Sequence, residues 1–121
     1  MSEPRWVLDA SAMVALFEGH GGLYSMLQEA DAGRARMFLP AVAVAEAETM
    51  LRAGYDGWGM LLFAAGVEVI RLDQSTAIEL GNRQGPLGAR HAMHEARAIG
   101  VAVVTRSPGD YAGLPGALTI V

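Results

Sequence analysis

Short runs of β-branched and large aliphatic residues recur along this chain, with stretches of helical spacing between them. That alternation marks βα units feeding a parallel sheet. Strands are predicted at Trp6–Leu8, Met37–Leu39, Val67–Leu72, Val101–Thr105 and Leu118–Val121. The intervals "SAMVALFEGH", "GLYSMLQEADAG", "AVAVAEAETMLRAG", "GWGMLLFAAG", "STAIELGNR" and "ARHAMHEARAIG" carry helical spacing. Gly54, Gly66 and Gly100 stand where a glycine past the last turn closes a helix, and Pro108 follows the fourth strand. The expected fold is α/β, a three-layer α/β/α sandwich around a central, mainly parallel, five-stranded sheet. Ligands of such sheets gather at the carboxyl ends of the strands.

Composition narrows the function. The 121 residues are one domain's worth of chain, so a single domain over residues 1–121 is expected. Hydrophobic residues at 52% and charged residues at 18% exclude a disordered chain. The absence of cysteine excludes disulfides and thiolate metal sites, leaving imidazole and carboxylate as candidate ligands. "MSEPRW" has no apolar leader, and "GMLLFAAGV" is about half of the roughly 20 residues that a membrane span needs. A cytoplasmic protein without membrane contact is expected. A net charge of −4 leaves no global footprint of nucleic-acid binding, so any such role rests on a local patch.

Three acids and two histidines are candidates for chemistry. Asp9 ends the first strand with Ser11 two residues on, which by itself is a helix N-cap. Glu46 and Glu48 lie two apart and so point to nearly opposite faces of their helix. Glu48 has Arg52 four residues later, the favourable order for an exposed pair. Glu46 has Val42 and Met50 at i−4 and i+4, an apolar stripe that should carry its carboxylate toward the sheet. A carboxylate placed there needs a metal, a cation or hydrogen bonds. His91 and His94 are three apart with Glu95 adjacent, which is not the zinc-protease spacing. On a helical wheel Ala89, Ala92, Ala96 and Ile99 form the buried face, and Arg90, His94 and Arg97 form a solvated basic stripe. His91 falls at the boundary, as a satisfied interface residue or a catalytic substitute.

The succession "VLDAS", "LPAVAVAEAETML", "GVEVIRLD" and a helix running into "AIGVAVVTRS" resembles the PIN-domain family over essentially the whole chain. Members similar to VapC toxins are Mg²⁺- or Mn²⁺-dependent ribonucleases, often silenced by a cognate antitoxin. The resemblance implies Asp9 and Glu46 as catalytic, metal-binding carboxylates, with Ser11 and Thr105 in support. It also implies RNA as substrate and an antitoxin or other protein partner; a homodimer is expected as well. The family's third acid opens the helix before the fourth strand, and its fourth follows that strand's Thr. Those two positions hold Ala89 and Ser107 here. Two carboxylates make a weak site for a hard cation that takes its ligands from oxygen. Asp110, three residues past the fourth position, is a further metal ligand if its loop turns inward. Arg90 and Arg106 adjoin the vacant positions and are candidates to convert the site into an ion pair. Three functions follow: a divergent ribonuclease using Asp9 and Glu46 with Asp110 or His91, an inactive PIN-fold module acting through protein partners, or an oligomer burying Tyr55 and Trp58 in a homodimer face.

Overall fold

The computed structural model describes residues 3–121. The chain runs β1 (Arg5–Leu8), α1 (Ala10–Phe17), α2 (Gly21–Asp31), β2 (Arg36–Pro40), α3 (Ala41–Leu51), α4 (Gly54–Leu62), β3 (Val67–Ile70), α5 (Gln74–Gly81), α6 (Leu87–Ile99), β4 (Val103–Thr105), a 3₁₀ turn (Pro108–Tyr111) and β5 (Leu118–Ile120). All five expected strands are present in one sheet of order β3-β2-β1-β4-β5, and every neighbouring pair is parallel. The order reverses between β1 and β4, so the carboxyl ends of these two strands define the crevice where ligands of open α/β sheets bind.

The period-2 alternation along the strands divides the core. Leu8, Met37, Leu39 and Val104 face one side, where α1 to α4 cover them. Val7 and Val103 face the other, under α6 and the 3₁₀ turn. Each large aliphatic side chain fully buried in these layers contributes roughly 1.5–3 kcal/mol. Phe17 meets Trp58 edge to face at 4.8 Å, joining α1 to α4.

Strand ends are shorter than the sequence pattern suggests, for local reasons. β3 stops at Ile70, which pairs with Pro40, the last residue of β2. Val101 is not in β4, because its N–H donates to Ala96 O and completes the end of α6. Gly100 has φ 73° and closes α6 as expected. Gly54 does not close α3: Arg52 takes the left-handed conformation there, φ 54°, and Gly54 opens α4. Gly66 has no positive φ; it is small because a Cβ would collide with the carbonyl oxygens of Ala30 and Ala35. Among the described residues no helix is long and apolar enough to cross a membrane.

Candidate functional site

Asp9 leaves β1 at the switch point, its N–H still bonded to Val104 O at 3.2 Å. Its side chain, only 3% exposed, then turns back onto α1. Oδ1 accepts from the Ala12 N–H at 2.9 Å and from Ser11 Oγ at 2.7 Å. Oδ2 accepts from the Tyr111 hydroxyl at 2.7 Å. Tyr111 reaches this carboxylate from the 3₁₀ turn, 102 positions along the chain, and is itself only 5% exposed. Burial, together with the Asp9 charge and hydrogen bond, holds the phenol well above its ordinary pKa, so it stays a donor. Ser11 and Thr105 complete the knot. With its own proton on Asp9, Ser11 Oγ accepts from the Arg106 N–H at 2.8 Å and lies 3.2 Å from Thr105 Oγ1. Thr105 Oγ1 in turn accepts from the Ser107 N–H at 2.9 Å. The ends of β1 and β4 are thereby tied to α1 and the 3₁₀ turn.

Glu46 reaches the same cleft, by a different route from the expected one. The inward face of α3 is Ala43 and Ala47, while Met50 is 61% exposed. These small residues let α6 approach closely, and the Glu46 carboxylate lies against Gly88 in the first turn of α6. The α6 N-cap, Pro86, supplies no side-chain cap of its own, and the Glu46 carboxylate sits beside this positive end of the helix. A Cβ at Gly88 would displace the free end of the Glu46 side chain and crowd the Ala43 Cα at 3.2 Å. Partial burial raises the Glu46 pKa; the Gly88 N–H opposes the shift, and the charges of Asp110 and Asp9 add to it. Glu48 is not the exposed partner of Arg52. It accepts from Ala53 N at 2.8 Å, Gly54 N at 2.9 Å and Trp58 Nε1 at 3.0 Å, which caps α4 and keeps its carboxyl below the usual range.

The remaining candidates are scattered. Ala89 is buried in the core beside Met93 and Tyr111, and Ser107 lines the cleft. Arg90 does not turn toward the acids: Nε donates to Gly85 O at 2.6 Å and Nη1 to Leu80 O at 3.2 Å, closing the end of α5. Arg106 lines the cleft with Glu46 and Asp110, yet it is in none of the ion pairs among the described residues. His91 is not at a boundary but fully buried between α3 and α6. Its Nδ1 accepts the Val42 N–H at 3.4 Å, and Nε2 lies 3.3 Å from Glu95 Oε2. Burial, reinforced by His94, pushes its pKa down to about 4. It is a packing group, spent on the first turn of α3.

The cleft that Glu46, Asp110, Ser11 and Ser107 line has a volume of about 900 Å³. A divalent ion of the kind the PIN resemblance implies needs several oxygen ligands. Among the described residues no group of three His, Cys, Asp or Glu is arranged to hold a metal. Three donors already occupy Asp9, Glu46 lies against the first turn of α6, and positions 89 and 107 offer a methyl and a hydroxyl. The residues present do not fit the ion. Tyr111 carries no local signal of this role beyond an aromatic hydroxyl in the loop after the fourth strand.

No family model matches the sequence, and no curated protein matches it. Solved structures do. A DNA-bound VapBC from Salmonella typhimurium has a TM-score of 0.66 at 16% identity, over 97% of this chain and 98% of that one. A toxin–antitoxin complex from Klebsiella pneumoniae gives 0.67 at 17%, over 94% and 96%. VapBC2 from Rickettsia felis, bound to a promoter DNA fragment, gives 0.65 at 15%, over 96% and 98%. At such identities the likeness is one of fold, and the wholly parallel sheet with helices on both faces is common ground. This chain has the PIN-like α/β fold of the VapBC toxin–antitoxin structures.

Proposed function

We propose that this chain, as a single domain over residues 1–121, is a VapC-like PIN-fold protein that acts through a protein partner and not through metal-dependent RNA cleavage. The observation that carries the reading is the Tyr111 hydroxyl seated on Asp9 Oδ2 at 2.7 Å. A neutral donor satisfies the carboxylate where the family's chemistry would need a cation. Asp9 has a role in folding as the cap of α1, and Glu46 has one beside the positive end of α6. Without an ion, the cleft presents Glu46 and Asp110 to a cationic side chain, and repulsion between these acids favours such a guest. The neighbouring folds come from toxin–antitoxin complexes, so a partner of the antitoxin kind is the natural occupant, with the chain itself in homodimers.

The test is titration of Mg²⁺ and Mn²⁺ by calorimetry alongside incubation with mixed RNA. No dissociation constant tighter than about millimolar and no cleavage are expected, since two committed carboxylates hold a hard cation poorly. Cleavage that disappears in Asp9→Ala would overturn the reading. The same electrostatic coupling of Glu46 to Asp110 and Asp9 favours a second reading, a divergent ribonuclease requiring Mg²⁺ or Mn²⁺. That reading requires Asp110→Asn to abolish RNA turnover.

A further inference from the structure

The turn between α1 and α2 reads Glu18, Gly19, His20, Gly21, Gly22, and its histidine is folded onto the start of α2. His20 Nδ1 accepts the Leu23 N–H at 3.1 Å, and the His20 carbonyl accepts the Tyr24 N–H at 2.9 Å. The ring lies over Gly22, where a Cβ would come within 3.2 Å of His20 Cε1. A ring nitrogen that accepts carries no proton, so the neutral imidazole holds its proton on Nε2. His20 is half-buried and also lines the acidic cleft. The charged groups that share the cleft with it are Glu18 at the end of α1, Glu46 on α3, Asp110 on the 3₁₀ turn and Arg106 after β4.

Imidazole differs from the caps of the neighbouring helices. Asp9 caps α1 and Asp73 caps α5, each with a carboxylate that is an acceptor throughout the neutral range. His20 accepts only while it is neutral. Protonation places a hydrogen on Nδ1, which leaves the Leu23 N–H without its acceptor and sets a cation against the positive end of the α2 dipole. The first turn of α2 has nothing to take over the role. It holds no acidic residue, and Gly21 and Gly22 are each about 1 kcal/mol poorer than Ala in a helix. The cleft offers the cation a better place, since three carboxylates line it against one guanidinium.

We propose that His20 is a proton-released latch at the edge of the acidic cleft: neutral, it holds the first turn of α2 closed, and protonated, it lets go of Leu23 and adds a positive charge to the cleft wall. The latch stands on the α1–α2 turn alone. Its consequence, that a cationic guest is held less firmly in acid, rests on the partner-binding function.

The test is NMR of the isotope-labelled protein at about pH 7.5 and about pH 5, near the two ends of the range in which an imidazole changes charge. At the higher pH an NOE should join His20 Hε1 to the Gly22 α protons. In acid it should vanish, and the Leu23 amide shift should follow the His20 ring protons between the two. Exchange of the Leu23 amide, corrected for its intrinsic pH dependence, should quicken about tenfold in acid, the loss of one N-cap contact. Asparagine offers an acceptor that does not titrate, so His20→Asn should keep this amide protected at both pH values; His20→Ser carries the same expectation if the asparagine variant does not fold. His94→Gln should behave as the wild type, and His91, with its pKa pushed down to about 4, stays neutral across the window. The proposal fails if the NOE survives where the ring protons report imidazolium, if His20→Asn loses protection in acid as the wild type does, or if His94→Gln abolishes the response. No guest is present in the experiment, so failure of the partner-binding function does not alter its outcome.

Discussion

Replacing Tyr111 by Phe removes one oxygen and nothing else. The ring stays packed against Val7, Ala89 and Met93, while Asp9 Oδ2 loses its donor in a place that water reaches poorly. A hydrogen bond to a charged group is worth about 1.5–3 kcal/mol. A loss of about 2 kcal/mol is therefore expected. At about 2.1 cal/mol/K of unfolding entropy per residue, a chain this long should melt about 8 °C lower. Thermal and urea denaturation measure the loss, each in chelator and in millimolar Mn²⁺. Since positions 89 and 107 still lack acids, Mn²⁺ should not recover the stability. A variant as stable as the wild type would show that the phenol is not what satisfies Asp9. Full rescue by Mn²⁺ would show that the remaining carboxylates suffice for an ion, and the reasoning from the donor set would be wrong.

Other outcomes follow from the same geometry. The triple variant Ala89→Asp, Ser107→Asp, Tyr111→Phe should melt below the wild type in chelator, because clustered carboxylates repel, and should rise with Mn²⁺ by mass action, a rise the wild type lacks. Gly88→Ala should displace the Glu46 carboxylate and crowd Ala43 Cα at 3.2 Å, an overpacking cost of about 1–3 kcal/mol offset by up to about 1 kcal/mol of helix propensity. Adding Glu46→Ala should recover part of that loss, and a double-mutant cycle that is strictly additive would refute the contact. His91 ionises near 6.5 when unfolded but only near 4 in the fold. The unfolded chain therefore binds the extra proton first, and the contribution of neutral His91 falls as pH drops from about 6.5 to 4, by up to about 3 kcal/mol. The raised pKa of Glu95 offsets part of this, and His91→Leu should flatten the pH dependence of denaturation across that window.

The set of elements and their layering is legible in the residue pattern alone. Val7 and Leu8, or Val103 and Val104, point to opposite faces because a strand repeats every two residues, and that signal needs no partner to be read. Gly100 was legible for the same reason, since a left-handed residue after an apolar helical face is a local event. The acidic positions were legible only as residue types. Glu46 and Glu48 sit two apart on one helix, and their roles are set by Gly88 on α6 and by the first turn of α4. Nothing in the local pattern separates a metal ligand from a helix cap, because both are carboxylates at the carboxyl edge of a sheet. Met50 is exposed, so no apolar stripe carries Glu46 inward; the buried face of α3 is Ala43 and Ala47, and the Glu46 carboxylate lies against Gly88 of α6. Tyr111 meets Asp9 across 102 positions, and Arg90 turns to the α5 carbonyls instead of to the acids beside it. Periodicity records what each segment must bury; which donor reaches a buried charge depends on how the helices dock on the sheet, and only the tertiary structure decides that.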